Sequence, residues 1–132
     1  MKIALDSNIL LRNVLQDDPI QAGLARRELE GAELVVISTP VFCEFVWGLR
    51  QLYRKAAPEV TSAIRYLIDS GNVVTNRLAA KAGLAVLDQG GDFANCVIGY
   101  EGQWLGADAF VSFDKQTVSI SKTQGKRATL LG

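Results

Sequence analysis

Four acidic residues stand where a chain of alternating strands and helices would gather them. Asp6 ends the apolar run Ile3-Ala4-Leu5, and Asp114 ends Ala109-Phe110-Val111-Ser112-Phe113. Glu44 lies one turn into the segment opened by Thr39-Pro40, and Asp92 follows Gly90-Gly91 at the head of a new apolar-periodic stretch. Carboxylates at the ends of buried parallel strands and the starts of the following helices converge on one edge of the sheet. Gathered there, they repel one another unless a cation neutralises them. Hard divalent ions such as Mg2+ or Mn2+ prefer such oxygen donors. Asn95, three residues after Asp92 on one helical face, adds a neutral amide oxygen to this metal-ligand set of Asp6, Asp92, Asn95 and Asp114. Ser7, Asn8 and Ser112 supply hydroxyl and amide groups beside the acids. Gly48, four residues after Glu44 on the same helix face, is expected to leave room for an ion or a phosphate.

Taken singly, the acids have simpler roles. Asp92 and Asp6 are of a type preferred at helix N-caps, and Asp114 suits a turn before Lys115. Glu44 fits a simple role least well. Between Phe42-Cys43 and Phe45-Val46-Trp47 it is expected to be buried, and a buried, unpaired carboxylate needs a cation or a raised pKa. Missing residues narrow the chemistry further. The chain contains no His, which removes Ser-His-Asp and Cys-His catalysis and imidazole bases. The two cysteines, Cys43 and Cys96, lie in apolar helical patterns. They are expected to be reduced core thiols of a cytoplasmic protein, and without His they cannot complete a normal zinc site.

The elements that must position these groups follow from periodicity and punctuation. Lys2–Asp6 reads as a strand buried on both faces. A helix is expected from Asn8 to Leu15, and another from Asp18-Pro19 to about Glu30, stopped by Gly31. Leu34–Ile37 is a second strand. Thr39-Pro40 opens a long helix to about Lys55, with Val41, Phe45, Leu49 and Leu52 at near-helical spacing. Pro58-Glu59 opens a helix ended by Gly71, and Val73-Val74 reads as a short extended link. Helices follow over Arg77–Gln89 and from Asp92 to about Gly102. Ala109–Phe113 is a third strand, a short helix follows Asp114, and Ala128–Leu131 is a fourth strand. This alternation implies parallel pairing with right-handed crossovers. The 132 residues, 48 % of them hydrophobic, fit one domain over 1–132. No apolar stretch is long enough to span a bilayer. The 14 basic and 14 acidic residues balance, so a strong non-specific grip on DNA is not expected.

Four segments together resemble the PIN-domain family, and within it the VapC-type toxin ribonucleases. They are Ala4-Leu5-Asp6-Ser7-Asn8-Ile9-Leu10-Leu11, Ile37-Ser38-Thr39-Pro40-Val41-Phe42-Cys43-Glu44-Phe45, Asp92-Phe93-Ala94-Asn95-Cys96-Val97-Ile98 and Val111-Ser112-Phe113-Asp114. The resemblance covers nearly the whole chain. It implies an α/β/α sandwich around a central parallel sheet of about four or five strands. It also implies an Mg2+- or Mn2+-dependent endoribonuclease that hydrolyses RNA with a metal-activated water, usually dimeric and neutralised by an antitoxin. Carried over residue by residue, Asp6, Glu44 and Asp114 fall on family acidic positions. Ser112 falls on the small hydroxyl position two before the last Asp. The third motif departs from the pattern: similar proteins often read Asp-Phe-Ala-Asp, whereas this chain has Asn95 and keeps Asp92. Three outcomes are open there. Asp92 holds the metal, Asn95 ligates as a neutral donor, or the site is impaired and the chain is a PIN-like binding module.

Arg50, Arg54 and Lys115 are candidate RNA contacts, with Lys126-Arg127 as further cations; each also reads as part of a solvated charged face. Trp47, Tyr53 and Trp104 read more readily as core or subunit-interface residues than as base-stacking platforms. The helices from Thr39 to Ser70 are the expected dimer interface. A receiver-like phospho-acceptor domain is disfavoured because no Asp occurs between Asp18 and Asp69, where a central strand would need one. A DNA-structure nuclease of the same superfamily would need a longer chain.

Overall fold

The computed structural model describes the whole of Met1–Gly132. The chain forms two compact units, Met1–Arg77 and Leu78–Gly132.

The first unit runs β1 (Lys2–Ala4), α1 (Ser7–Leu15), α2 (Pro19–Gly31), β2 (Leu34–Val36), α3 (Thr39–Trp47), a π-helical turn (Gly48–Leu52), α4 (Ala57–Asp69) and β3 (Val73–Val74). The strands pair in parallel in the order β1-β2-β3, with Ile3 opposite Val35 and Val35 opposite Val73. Val73-Val74 is therefore a true third strand rather than a link. The expectation of strands buried on both faces is corrected. Val35 and Val73 are buried, whereas Ala4, Val36 and Val74, which neighbour one another in register, are exposed. Side chains alternate across a strand, so every second residue of these apolar runs lies on the open face.

Each helix end has a local cause. Asp18 Oδ1 accepts from the amides of Ile20 and Gln21, both at 3.1 Å, ahead of Pro19. At the far end of α2, Asn72 Nδ2 donates to the carbonyls of Leu29 (3.0 Å) and Ala32 (3.3 Å). Arg77 does the same after α4, with Nε on Ile68 O at 3.0 Å and Nη2 on Ser70 O at 3.3 Å. These bonds satisfy carbonyls that a helix terminus leaves unpaired. The single long helix expected to Lys55 is instead α3 followed by the π turn, closed by Tyr53 N–H on Gly48 O at 3.1 Å. Phe42, Phe45, Val46 and Leu49 form its buried stripe, while Leu52 is exposed.

The second unit contains α5 (Arg77–Asp88, starting on the last residue of the first unit), α6 (Phe93–Trp104), β4 (Phe110–Ser112), α7 (Lys115–Thr123) and β5 (Ala128–Leu130). Strands β4 and β5 pair in parallel, Phe110 opposite Ala128 through Ser112 opposite Leu130. Helix α7 is the crossover that packs on both strands. Its core includes Leu84, Val86, Phe93, Val97 and Val118. The five strands agree in number with the expected sheet, and they form ladders of three and two. No helix is long and apolar enough to cross a membrane.

Candidate active site

In the first unit the chain leaves β1 through Leu5 and enters α1 at Asp6. Asp6 has extended backbone angles, and its Oδ1 accepts from the amide of Asn8 at 3.1 Å, which makes it the N-cap of α1. Ser7, one residue on, donates its hydroxyl to Glu44 Oε2 at 3.0 Å. That bond ties α3 to the first turn of α1 and brings Glu44 to the residue beside Asp6. Asp6 and Asn8 also line a groove of about 470 Å3 with Ile9, Arg12, Leu24 and Glu28.

Two expectations are corrected here. Glu44 is exposed, not buried. The buried stripe at 42, 45, 46 and 49 occupies one side of the helix, and at 100° per residue position 44 points away from it. Gly48 is buried and leaves no room for an ion: a Cβ there would meet Leu11 Cδ1 at 3.2 Å. Its missing side chain lets α1 approach the end of α3.

In the second unit Asp92 caps α6 through Oδ1, which accepts from Asn95 N at 2.9 Å. Asp114 caps α7 in the same way, accepting from Thr117 N at 3.1 Å. Ser112 Oγ accepts from Asp114 N at 2.9 Å and so shapes the turn between β4 and α7. Asn95 Nδ2 donates to Thr117 Oγ1 at 3.2 Å. Gln116 Nε2 donates to Gly90 O at 2.8 Å, in the turn that leads to Asp92. Thr117 and Gln116 went unnoticed in the sequence. The available signal was a Thr sharing a helical face with Ile120 and Gln124, but its partner depends on which helix lies alongside.

Asp92, Asn95 and Thr117 also line a small cavity of about 60 Å3 with Cys96, Gly99 and Phe110. Burial pushes the Cys96 thiol up, against a downward pull from Lys126, so the thiol stays protonated and is a poor nucleophile. Neither cysteine is in a disulfide, and both are half-buried.

The donor chemistry suits a hard cation. Each of the three aspartates spends Oδ1 on a backbone amide, which leaves its second oxygen outside the cap. Neither ion pair of the chain, Arg12–Asp17 at 2.9 Å or Lys55–Glu59 at 3.8 Å, involves Asp6, Glu44, Asp92 or Asp114. Arg12, although in the Asp6 groove, already has partners elsewhere. It is hydrogen-bonded to the Tyr53 hydroxyl, stacked 5.6 Å from that ring and paired with Asp17; these contacts hold its pKa above the ordinary value, the Tyr53 bond first. Within neither unit do three acidic or Cys side chains gather around one point.

The remaining candidates are placed as follows. Arg50 donates to Lys55 O at 3.1 Å and braces the loop after the π turn. Arg54 (φ 51°) and Lys115 are exposed. Trp47 and Trp104 are 55 % and 74 % exposed, so neither belongs to the core. The family model for the PIN domain matches residues 3–122. No curated protein and no solved structure matches the chain.

Proposed function

Because the chain belongs to the PIN-domain family, generally a family of metal-dependent nucleases, we propose that it is an Mg2+- or Mn2+-dependent endoribonuclease acting as the toxin of a toxin–antitoxin pair. One observation carries this reading: four carboxylates, three of them helix N-caps and Glu44 in the second turn of α3, take part in no ion pair.

The cation ligands would be Asp6 in the first unit and Asp92, Asp114 and the amide oxygen of Asn95 in the second. When bound, the cation would lower the pKa of water and withdraw charge from the scissile phosphate. Glu44, exposed and steadied by the Ser7 hydroxyl, accepts the proton of the attacking water. The caps fix Asp6, Asp92 and Asp114, so the ligands need little reordering. Lys115, next to Asp114, and Arg54 are the free cations best suited to RNA phosphates. Attack by water rather than by a ribose hydroxyl leaves 5′-phosphate and 3′-hydroxyl ends.

The same uncompensated acids suit an antitoxin that delivers an Arg or Lys to them. Exposed Trp47, Leu52 and Tyr66 support an interface between Thr39 and Ser70. The test is cleavage of a mixed structured-RNA pool by the purified chain with Mg2+, Mn2+ or EDTA, beside Asp6→Asn. Cutting is expected only with metal and only with Asp6 intact; EDTA-resistant cutting would sink the proposal. A second reading, a PIN-like binding module without catalysis, is favoured by the neutral Asn95. It predicts a silent parent and activity gained in Asn95→Asp.

A further inference from the structure

We infer that Asn95 and Thr117 form a strut that holds Asp92 and Asp114 in place for a divalent cation, so that Asn95 is a positioning residue and not a damaged ligand. The inference rests on the proposed metal-dependent reading. It comes from a continuous chain of bonds: Asp92 Oδ1 accepts from Asn95 N, Asn95 Nδ2 donates to Thr117 Oγ1, and Thr117 N donates to Asp114 Oδ1. Thr117 is the pivot. Its backbone holds one acid, and its side chain reaches the helix capped by the other.

Three features make this more than a surface contact. Thr117 is 8 % exposed, so water cannot readily replace the bond. The tie from Gln116 to Gly90 gives the first turn of α7 a second anchor on the turn before α6, which fixes its rotation as well as its distance. Asn95 also serves two functions at once: its Nδ2 donates to Thr117 while its other end remains an oxygen for a cation. A carboxylate at 95 could only accept, so the Thr117 hydroxyl would have to donate instead.

A site with fewer charges binds a cation more weakly, but rigidity also sets affinity. The strut supplies rigidity before the cation arrives. If Asn95 were only a lost charge, Asn95→Ala would change little.

The test is a titration of the purified full chain with Mn2+, read by the electron paramagnetic resonance signal of the free ion. The forms are the parent, Asn95→Ala, Asn95→Asp, Thr117→Val, Thr117→Ser and the Ala/Val double variant. Thr117→Val removes the hydroxyl and no cation ligand. It is expected to raise the half-saturating Mn2+ about fivefold, the worth of one neutral hydrogen bond, while Thr117→Ser stays within about twofold of the parent. Asn95→Ala should weaken binding at least as much, and the double variant no further than Asn95→Ala alone. Asn95→Asp should bind at least as tightly as the parent, because Thr117 can then donate to it. Parental binding by Asn95→Ala or Thr117→Val, or effects that multiply in the double variant, would overturn the inference. Failure of every form, Asn95→Asp included, to bind Mn2+ would instead overturn the metal reading. Amide exchange at Asn95 and Thr117 then tests the strut alone: faster exchange in Thr117→Val, restored in Thr117→Ser, supports it, and unchanged exchange refutes it.

Discussion

Asp114 does two separable jobs, and one pair of substitutions divides them. Its Oδ1 caps α7 by accepting from Thr117 N, and its charge is assigned to a cation. Alanine removes both functions, whereas asparagine keeps the cap acceptor and removes the charge. Loss of such a cap costs about 1 kcal/mol, within a range of about 0.5–2. For a chain of this size about 1 kcal/mol corresponds to roughly 3–5 °C in Tm. The carboxylate also faces the positive end of the α7 dipole, worth about 0.3–1 kcal/mol, so asparagine should keep most but not all of the stability. Thermal unfolding in EDTA, followed by circular dichroism, should therefore show Asp114→Ala melting lower by roughly 3–5 °C and Asp114→Asn falling by less. Both variants should lose Mg2+-dependent RNA cleavage. Equal melting losses would mean that Asp114 is not a cap of this kind. Retained cleavage in Asp114→Asn would remove charge from the mechanism.

Three further outcomes follow. Gly91→Ala places a Cβ 2.4 Å from Val86 Cγ1 and 2.7 Å from Ile120 Cδ1, so urea unfolding should show a loss of about 1–3 kcal/mol from overpacking; an unchanged midpoint would contradict the close approach. Thr61 buries a hydroxyl without a partner, so Thr61→Val should be neutral or gain up to about 1 kcal/mol, and a clear loss in the same assay would reveal a missed bond. The Cys96 thiol is raised by burial, so the folded chain holds this proton more tightly than the unfolded chain. Its contribution to stability is present below the ordinary thiol range and is lost as pH climbs through the raised value. Iodoacetamide at about pH 8 should modify Cys96 more slowly in the native chain than in urea, and equal rates would refute the shift.

The junctions of this fold were legible because its punctuation is strong. Asp18-Pro19, Gly31, Gly71 and Gly90-Gly91 sit at or within a residue or two of element boundaries. Asp6 and Asp92 were legible both as caps and as ligands, and Asp114 as a turn residue and a ligand; the structure shows all three as caps. Less was readable where a property depends on angle rather than neighbours. Glu44 sits among apolar residues in sequence yet projects opposite their shared stripe. Strand β3 is two residues long, too short to show alternation, and only its pairing with β2 defines it. Thr117 and Gln116 act through bonds to α6 and the turn before it, which no spacing within α7 could reveal.

The π turn at Gly48–Leu52 bears on how long that segment must be. Its bond spans five residues, from Tyr53 N–H to Gly48 O, where an α-helix spans four. The wider turn therefore holds one residue more than an α turn closing on the same carbonyl would. Removing an exposed residue such as Gln51 would let the same Tyr53 N–H reach the same Gly48 O across four residues. Tyr53 would keep close to its present bearing, and its ring would stay beneath Arg12. The turn works as a splice that takes up a difference in chain length without disturbing what flanks it.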